Sequence, residues 1–289
     1  MKEIVKEKIA SLLSGDEEIQ SVEQLGGMTN QNYLVQTSSN QYIVKFFGKG
    51  TEKLIDRQNE KFNLELLKDL ELDVENYLFD IEAGIKVNQY IENAETLNLD
   101  TIKTRFEKIA PILQTIHASG KELKGEFAPF EEIIKYESLI QGEIFYPNYE
   151  DVRKSVFSLK EELEQIGIEK KSCHIDLVPE NFIEGPDGHL YLIDWEYSSM
   201  NDPMWDLAAL FLESEFTPEE EEDFLTYYEG EKTPVSREKI RIYKILQDII
   251  WSLWTIYKEE NGADFGDYGI SRYNRAVKEL DFKGGSYEN

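Results

Sequence analysis

Apolar residues recur at helical spacing at the start of the chain, at Ile4, Val5, Ile9, Leu12 and Leu13. The pattern stops at the turn residues Ser14-Gly15-Asp16, predicting one short opening helix. From 19 to 47 the texture changes to short alternating segments. These are 21–25, the turn Gly26-Gly27, Tyr33-Leu34-Val35, the turn Ser38-Ser39-Asn40, and 42–47, and they predict a three-stranded antiparallel meander. Helical period returns over 53–70, with Leu54, Phe62, Leu66, Leu67 and Leu70 apolar and charges between them. Leu78-Phe79-Asp80 and 85–90 read as two further strands around Glu82-Ala83-Gly84, so the first ninety residues run β-β-β-α-β-β.

Beyond Asn93 strands nearly vanish, and 99–117, 130–140 and 152–166 carry helical periodicity. The exception is 171–194, where Asn181-Phe182-Ile183 and Leu190-Tyr191-Leu192-Ile193 flank the turn Gly185-Pro186-Asp187-Gly188, a hairpin set among helices. Helical patterns resume at 203–211, 218–228, 236–259 and 268–280, and the tail around Lys283-Gly284-Gly285-Ser286 is expected to fray. The expected fold class is therefore α+β: a β-rich domain over 1–91 and a larger helical domain over 92–289. A length of 289 residues accommodates two such domains.

Charge and cysteine usage narrow the partners. With 31 basic and 58 acidic side chains the formal net charge is −27, which opposes the phosphates of nucleic acid and an anionic membrane surface. Apolar runs such as 207–212 fall far short of the ~20 residues that span a bilayer. A lone Cys173 cannot close an intrachain disulfide, and the Lys/Glu-alternating first 18 residues lack the apolar stretch of a signal peptide. The expected location is the cytoplasm, with no nucleic acid, no membrane span and no obligate protein partner. The acid run 219–223 reads as the solvated first turns of a helix.

Candidate chemistry gathers at the hairpin. Its leading loop holds His174-Ile175-Asp176-Leu177-Val178-Pro179-Glu180-Asn181, an H-x-D-x-x-x-x-N pattern, and its second strand ends at Asp194-Trp195-Glu196. Phosphoryl transfer from Mg-ATP needs such a set: a carboxylate to orient an attacking hydroxyl, and oxygen ligands for the metal bridging the phosphates. Mg²⁺ prefers carboxylate and amide oxygens, which makes Asp194 and Asn181 suitable ligands and Asp176 the positioned base. A nucleotide-binding sheet should also supply a turn open to phosphate and a lysine one strand later. The turn Gly26-Gly27-Met28-Thr29-Asn30-Gln31 and Lys45 fill those places, and Glu60 on the following helix is expected to pair with Lys45. Taken singly, the Gly-Gly turn fits an ordinary hairpin and Lys45 a snorkelling strand residue. Trp251 and Trp254 lie three apart on a helical segment and share a face. Indoles so spaced are also ordinary core, but with Tyr197, Trp205 and the acid Glu213 they could cage a quaternary ammonium group.

Together these residues resemble the choline/ethanolamine kinase and aminoglycoside phosphotransferase superfamily of protein-kinase-like enzymes, most closely its bacterial choline kinases. The resemblance runs from Leu25-Gly26-Gly27-Met28-Thr29-Asn30 through the 173–181 loop and Leu192-Ile193-Asp194-Trp195-Glu196-Tyr197 to Trp251-Ser252-Leu253-Trp254. It implies a bilobal kinase-like fold, ATP and Mg²⁺ as cofactors, and choline as the small-molecule substrate. Asp176 would be the catalytic base and Asn181 and Asp194 the metal ligands. The nucleotide would meet Gly27, Thr29, Asn30, Lys45 and Glu60, with a hinge at Gln89, Tyr90 and Ile91. Glu196, Tyr197, Trp205, Glu213, Trp251 and Trp254 would receive choline, and His174 would organise the loop without transferring protons. His174-Ile175-Asp176 lacks the arginine of H-R-D and Asp194-Trp195-Glu196 replaces D-F-G, departures that point to small-molecule acceptors. The resemblance further implies that phosphocholine feeds decoration of bacterial surface glycopolymers. Another small amino-alcohol or an aminoglycoside remains the rival acceptor; a trimethylammonium, having no N–H, is better suited to aromatic faces than a primary ammonium is.

Overall fold

The computed structural model describes residues 2–9, 12–13, 17–26, 30–48 and 50–284, and of these the side chains of Lys2 and 281–284 are left aside. The chain divides into two compact units, one of 1–101 with 179–197 and one of 102–178 with 198–289. This division differs from a single cut after residue 91: the hairpin groups with the sheet, although the stretch 102–178 of the second unit precedes it in sequence.

The first unit opens with α1 (Lys2–Ile9), then β1 (Ile19–Gln24), β2 (Gln31–Thr37), β3 (Gln41–Phe46), α2 (Arg57–Leu67), β4 (Asn76–Asp80) and β5 (Ile85–Gln89). The five strands form one antiparallel sheet in the order β1-β2-β3-β5-β4, as the alternating pattern predicts. Inward positions alternate along β2 and β3, so Tyr33, Val35, Tyr42 and Val44 bury with Val5, Ile9, Ile85 and Val87 into one core. The register sets Lys45 directly opposite Lys86 on the neighbouring strand, a like-charge pair that needs acids nearby. Asp56 caps α2 by accepting from the amides of Gln58 and Asn59, which fixes where Arg57 and Glu60 leave the first turn. The hairpin consists of β8 (Phe182–Glu184) and β9 (Leu190–Leu192), with β6 (Glu95–Thr96) paired to β8. The Leu192 amide donates to the Leu72 carbonyl at 2.8 Å, tying the hairpin to the segment after α2.

The second unit is mainly helical: α3 (Phe106–Ala118), α4 (Pro129–Leu139), α5 (Tyr149–Ile166), α6 (Pro203–Glu213), α7 (Pro218–Tyr228), α8 (Arg237–Glu260) and α9 (Tyr268–Gly284). The pattern over 99–117 resolves into a 3₁₀ turn, Ile102–Thr104, followed by α3, because Arg105 between them leaves helical backbone geometry. Two short strands, β7 (Lys171–Cys173) and β10 (Ser199–Asn201), pair antiparallel; three residues each are too few to show an alternating pattern. A capping box of Thr217 and Glu220 starts α7, so the acid run does occupy a helix N-terminus. The long α8 packs between α6, α4 and α9, and nearly every residue from Ile240 to Tyr257 is buried. No described helix is long and apolar enough to cross a membrane.

Candidate active site

In the first unit, strand β3 carries Lys45 and the end of the hairpin carries Asp194, and the two meet: Lys45 Nζ donates to Asp194 Oδ1 at 2.6 Å. Asp194 has a φ of +67°, a conformation that side chains other than glycine rarely take, and its carboxylate keeps a quarter of its surface. The Ile193 amide donates to the Asn181 carbonyl at 2.9 Å, so the proposed metal ligands Asn181 and Asp194 are held one hydrogen bond apart along the backbone. That pairing, and an oxygen donor set of one carboxylate and one amide, fit a hard divalent cation.

The expected Lys45–Glu60 pair does not form. Glu60 accepts from Lys86 Nζ and from Arg57 Nη1, both at 2.6 Å, while Lys45 is committed to Asp194. Strand register explains the exchange, since Lys86 stands opposite Lys45 and reaches the same helix. Burial works to raise the Glu60 carboxyl, yet Lys86 and Arg57 together hold it below its ordinary value. Nearby Asp73 is pushed up to about 7 by loss of water around its carboxyl, against the pull of Lys86 and Lys45.

Glu196 and Asn30 also sit differently from expectation. Both are buried and bonded to one another, Asn30 Nδ2 donating to Glu196 Oε2 at 2.7 Å, and Arg57 donates to both, at 2.8 Å to Glu196 and 3.0 Å to Asn30 Oδ1. Glu196 is therefore no open wall for an acceptor, and it is its buried carboxylate that needs the guanidinium. Burial and the neighbouring Asp194 raise its pKa, while Lys45 and Arg57 pull it back. Gly27 and Thr29 lie outside the described residues. Gln89 ends β5 with its amide on the Glu75 carbonyl, and the half-buried Tyr90 and Ile91 follow it out of the sheet. Tyr197 is half-buried at the end of the 3₁₀ turn Trp195–Tyr197.

In the second unit, the half-buried Asp176 follows Ile175, whose φ of +80° is strained for a β-branched residue. Helix α6 holds this loop from both sides. Asp206 accepts from the amides of His174 and Ile175, each at 2.8 Å, and Trp205 Nε1 donates to the Ile175 carbonyl at 3.1 Å. Nothing of Trp205 is exposed, and Phe127 and Tyr243 pack against its ring, so it supports the loop that carries Asp176 and does not join a cage. His174 takes part in this clamp through its backbone amide. Sequence reasoning missed Asp206; its one signal is a carboxylate four residues after the cap Asp202, inside a helix whose other residues before Glu213 are apolar.

Trp251 and Trp254 do share a face of α8, their rings 6.5 Å apart and edge-on. Phe265 lies 5.0 Å from Trp254 and 6.4 Å from Tyr268, giving a continuous run of four rings. The indole N–H of Trp254 is buried without a hydrogen-bond partner. Burial raises the Tyr268 pKa against the pull of Arg272, and the charges of Glu213 and Asp176 add to the rise. Glu213 is bonded to Arg272, which also reaches Asp248 at 3.2 Å and lies over the Tyr268 ring at 4.6 Å. Phe265 and Tyr268 flank a loop beyond the α8 pattern, where no periodicity marks them.

The family model for choline/ethanolamine kinases matches residues 22–239. The chain belongs to that family. It is 33% identical over 270 residues to protein LicA of Haemophilus influenzae, spanning 89% of this chain and 79% of the relative. The crystal structure of choline kinase LicA from Streptococcus pneumoniae superposes with a TM-score of 0.94 at 74% identity, over 98% of this chain and 99% of that one. A second LicA structure, solved with AMP, gives 0.92 at 75% identity over 97% and 98%. The kinase-like α+β fold follows from these likenesses, and so does the family's ATP-dependent small-molecule kinase chemistry.

Proposed function

We propose that this protein is a choline kinase that transfers the γ-phosphate of ATP to the hydroxyl of choline, giving phosphocholine and ADP. The observation that carries the choice of acceptor is the run Trp251, Trp254, Phe265 and Tyr268, which lies in the same unit as Asp176. A trimethylammonium group has no hydrogen to donate and is attracted to ring faces, each contributing ~0.5–2 kcal/mol according to desolvation. Glu213, its charge shared with Arg272, adds a negative field without offering a fully free carboxylate.

Asp176 accepts the proton of the choline hydroxyl as that oxygen attacks phosphorus in line, and the strained, doubly clamped loop keeps its carboxylate placed for this. Lys45 would turn from Asp194 to the nucleotide phosphates, and Asp194 with Asn181 would hold Mg²⁺, which when bound supplies neutralisation of charge on the transferring phosphate. Tyr90 and Ile91 meet the adenine. The enzyme works in the cytoplasm, where ATP is supplied.

The test is ADP release by purified protein with Mg-ATP and choline, ethanolamine, an aminoglycoside or no acceptor. Choline-dependent release with phosphocholine as product is expected. A preference for ethanolamine or an aminoglycoside would overturn the acceptor while leaving the kinase, and release with no acceptor or none at all would overturn both.

A further inference from the structure

A buried polar cluster of the first unit surrounds a residue that has no place in the transfer described above. Arg57, 8% exposed, spends its guanidinium on three partners: Glu60 Oε2 at 2.6 Å, Glu196 Oε2 at 2.8 Å and Asn30 Oδ1 at 3.0 Å. Asn30 closes the ring onto Glu196 at 2.7 Å and accepts from the Gly48 amide at 3.2 Å. Phe47 covers the guanidinium face at 4.1 Å, and Lys86 secures the far side of Glu60 at 2.6 Å. One side chain thus ties together helix α2, the residue that enters β2 and the turn that follows Asp194.

Asp194 needs such a hold. It lies outside the regular elements with a φ of +67°, and besides its own bond to Lys45 the residues on either side of it are held. On one side Ile193 is bonded to the Asn181 carbonyl; on the other Trp195 donates to the Leu192 carbonyl and Glu196 meets Arg57. Replacing a buried ionic cluster by apolar groups of similar volume is often neutral for stability, and holding one specific arrangement is a role such a cluster fills.

We propose that Arg57 is a positioning residue for phosphate transfer: through Glu196 it sets the carboxylate of Asp194, and through Asn30 it sets the end of the turn that precedes β2. It touches neither nucleotide nor acceptor. The proposal rests on the assignment of Asp194 to the metal-nucleotide, and it is independent of which acceptor is used.

The experiment compares Arg57→Met and Arg57→Lys with the parent protein, varying ATP, Mg²⁺ and acceptor in turn, and titrates ADP with and without Mg²⁺. For Arg57→Met we expect kcat to fall tenfold or more. KM for ATP and half-saturating Mg²⁺ should rise about tenfold, the gain in ADP affinity from Mg²⁺ should be lost, and acceptor KM should move less than twofold. Arg57→Lys, which keeps a charge able to reach one carboxylate, should recover part of each. Unchanged nucleotide and Mg²⁺ constants per folded molecule, or equal shifts in acceptor KM, would overturn the proposal. If Arg57→Met fails to fold, Asn30→Ala and its combination with Arg57→Lys decide: losses in the pair no greater than the worse single support one device, and additive losses overturn it. Parent protein that phosphorylates ethanolamine in place of choline would contradict the proposed acceptor and leave these nucleotide readouts intact.

Discussion

The two units solve opposite problems with opposite materials. In the first, five charged or amide side chains, Asn30, Arg57, Glu60, Lys86 and Glu196, are joined by bonds of 2.6 to 3.0 Å, and Lys45 and Asp194 form a further pair at 2.6 Å, beside an apolar sheet core. In the second, four aromatic rings run together, with Glu213 already bonded to Arg272. A polyphosphate with its metal presents localised charge that only charged and hydrogen-bonding groups can match. A quaternary ammonium presents a diffuse charge under methyl groups, and ring faces match it without hydrogen bonds. Charge placement decides the first side, and shape with polarisable surface decides the second.

If this contrast is right, the largest effect belongs to the group that serves the reaction itself. Asp176→Ala should lower kcat by about 10²–10⁴-fold, the range for loss of a positioned acid or base, with ADP affinity by titration calorimetry unchanged. Turnover close to the parent's would remove Asp176 from its role.

The next effect separates two lysines that face each other across one sheet. Lys86→Met leaves Glu60 buried with Arg57 alone, and breaking one side of a buried ionic set costs about 3–5 kcal/mol. Each kcal/mol moves the melting temperature of a protein of this size by ~2–4 °C, so a drop near 10 °C is expected. Lys45→Met should shift melting much less, because Asp194 keeps a quarter of its carboxylate surface, and should instead raise KM for ATP. Equal melting shifts would erase the distinction between the structural and the nucleotide-facing lysine.

The smallest effect is a pH dependence at Asp73. Its carboxyl sits near 7 in the folded protein, above the value of about 4 in an unfolded chain. Between those values the folded state holds a proton that the unfolded state has released, so this group lowers stability as pH rises from about 4 to 7. Asp73→Asn should therefore melt like the parent at pH 4 and above it at pH 8, by on the order of 1–3 kcal/mol. A parent advantage at pH 8 would mean that Lys86 and Lys45 outweigh the loss of water around the carboxyl.

Much of this architecture was legible beforehand, and the exceptions have physical causes. Period-2 alternation announced the five strands, and the spacing from His174 to Asn181 announced the loop that carries Asp176. What one dimension could not supply was partner choice among like residues. Lys45 and Lys86 are equivalent candidates for Glu60 until strand register sets them opposite each other and the hairpin brings Asp194 to Lys45. Glu196 reads as an acceptor ligand from its motif neighbours, and only the fold shows Arg57 and Asn30 enclosing it. Trp205 looks like a fourth cage wall because tryptophan in any active-site segment does; its complete burial gives it to the loop beneath. Three-residue strands such as β7 and β10 leave no periodic trace, and Tyr268 stands at a helix start where no pattern has yet developed.

The central claim, that ring faces and not hydrogen bonds choose the acceptor, is tested most directly by one substrate series. Measuring kcat/KM for ethanolamine and its mono-, di- and trimethylated forms, in the parent protein and in Trp254→Leu, changes the number of N–H groups one at a time. The account predicts a rise with each methyl, steepest at the last, and a flattened series in Trp254→Leu with its choline KM raised about 2–30-fold, the equivalent of ~0.5–2 kcal/mol. A series that falls with methylation, or one whose slope Trp254→Leu leaves untouched, would contradict it.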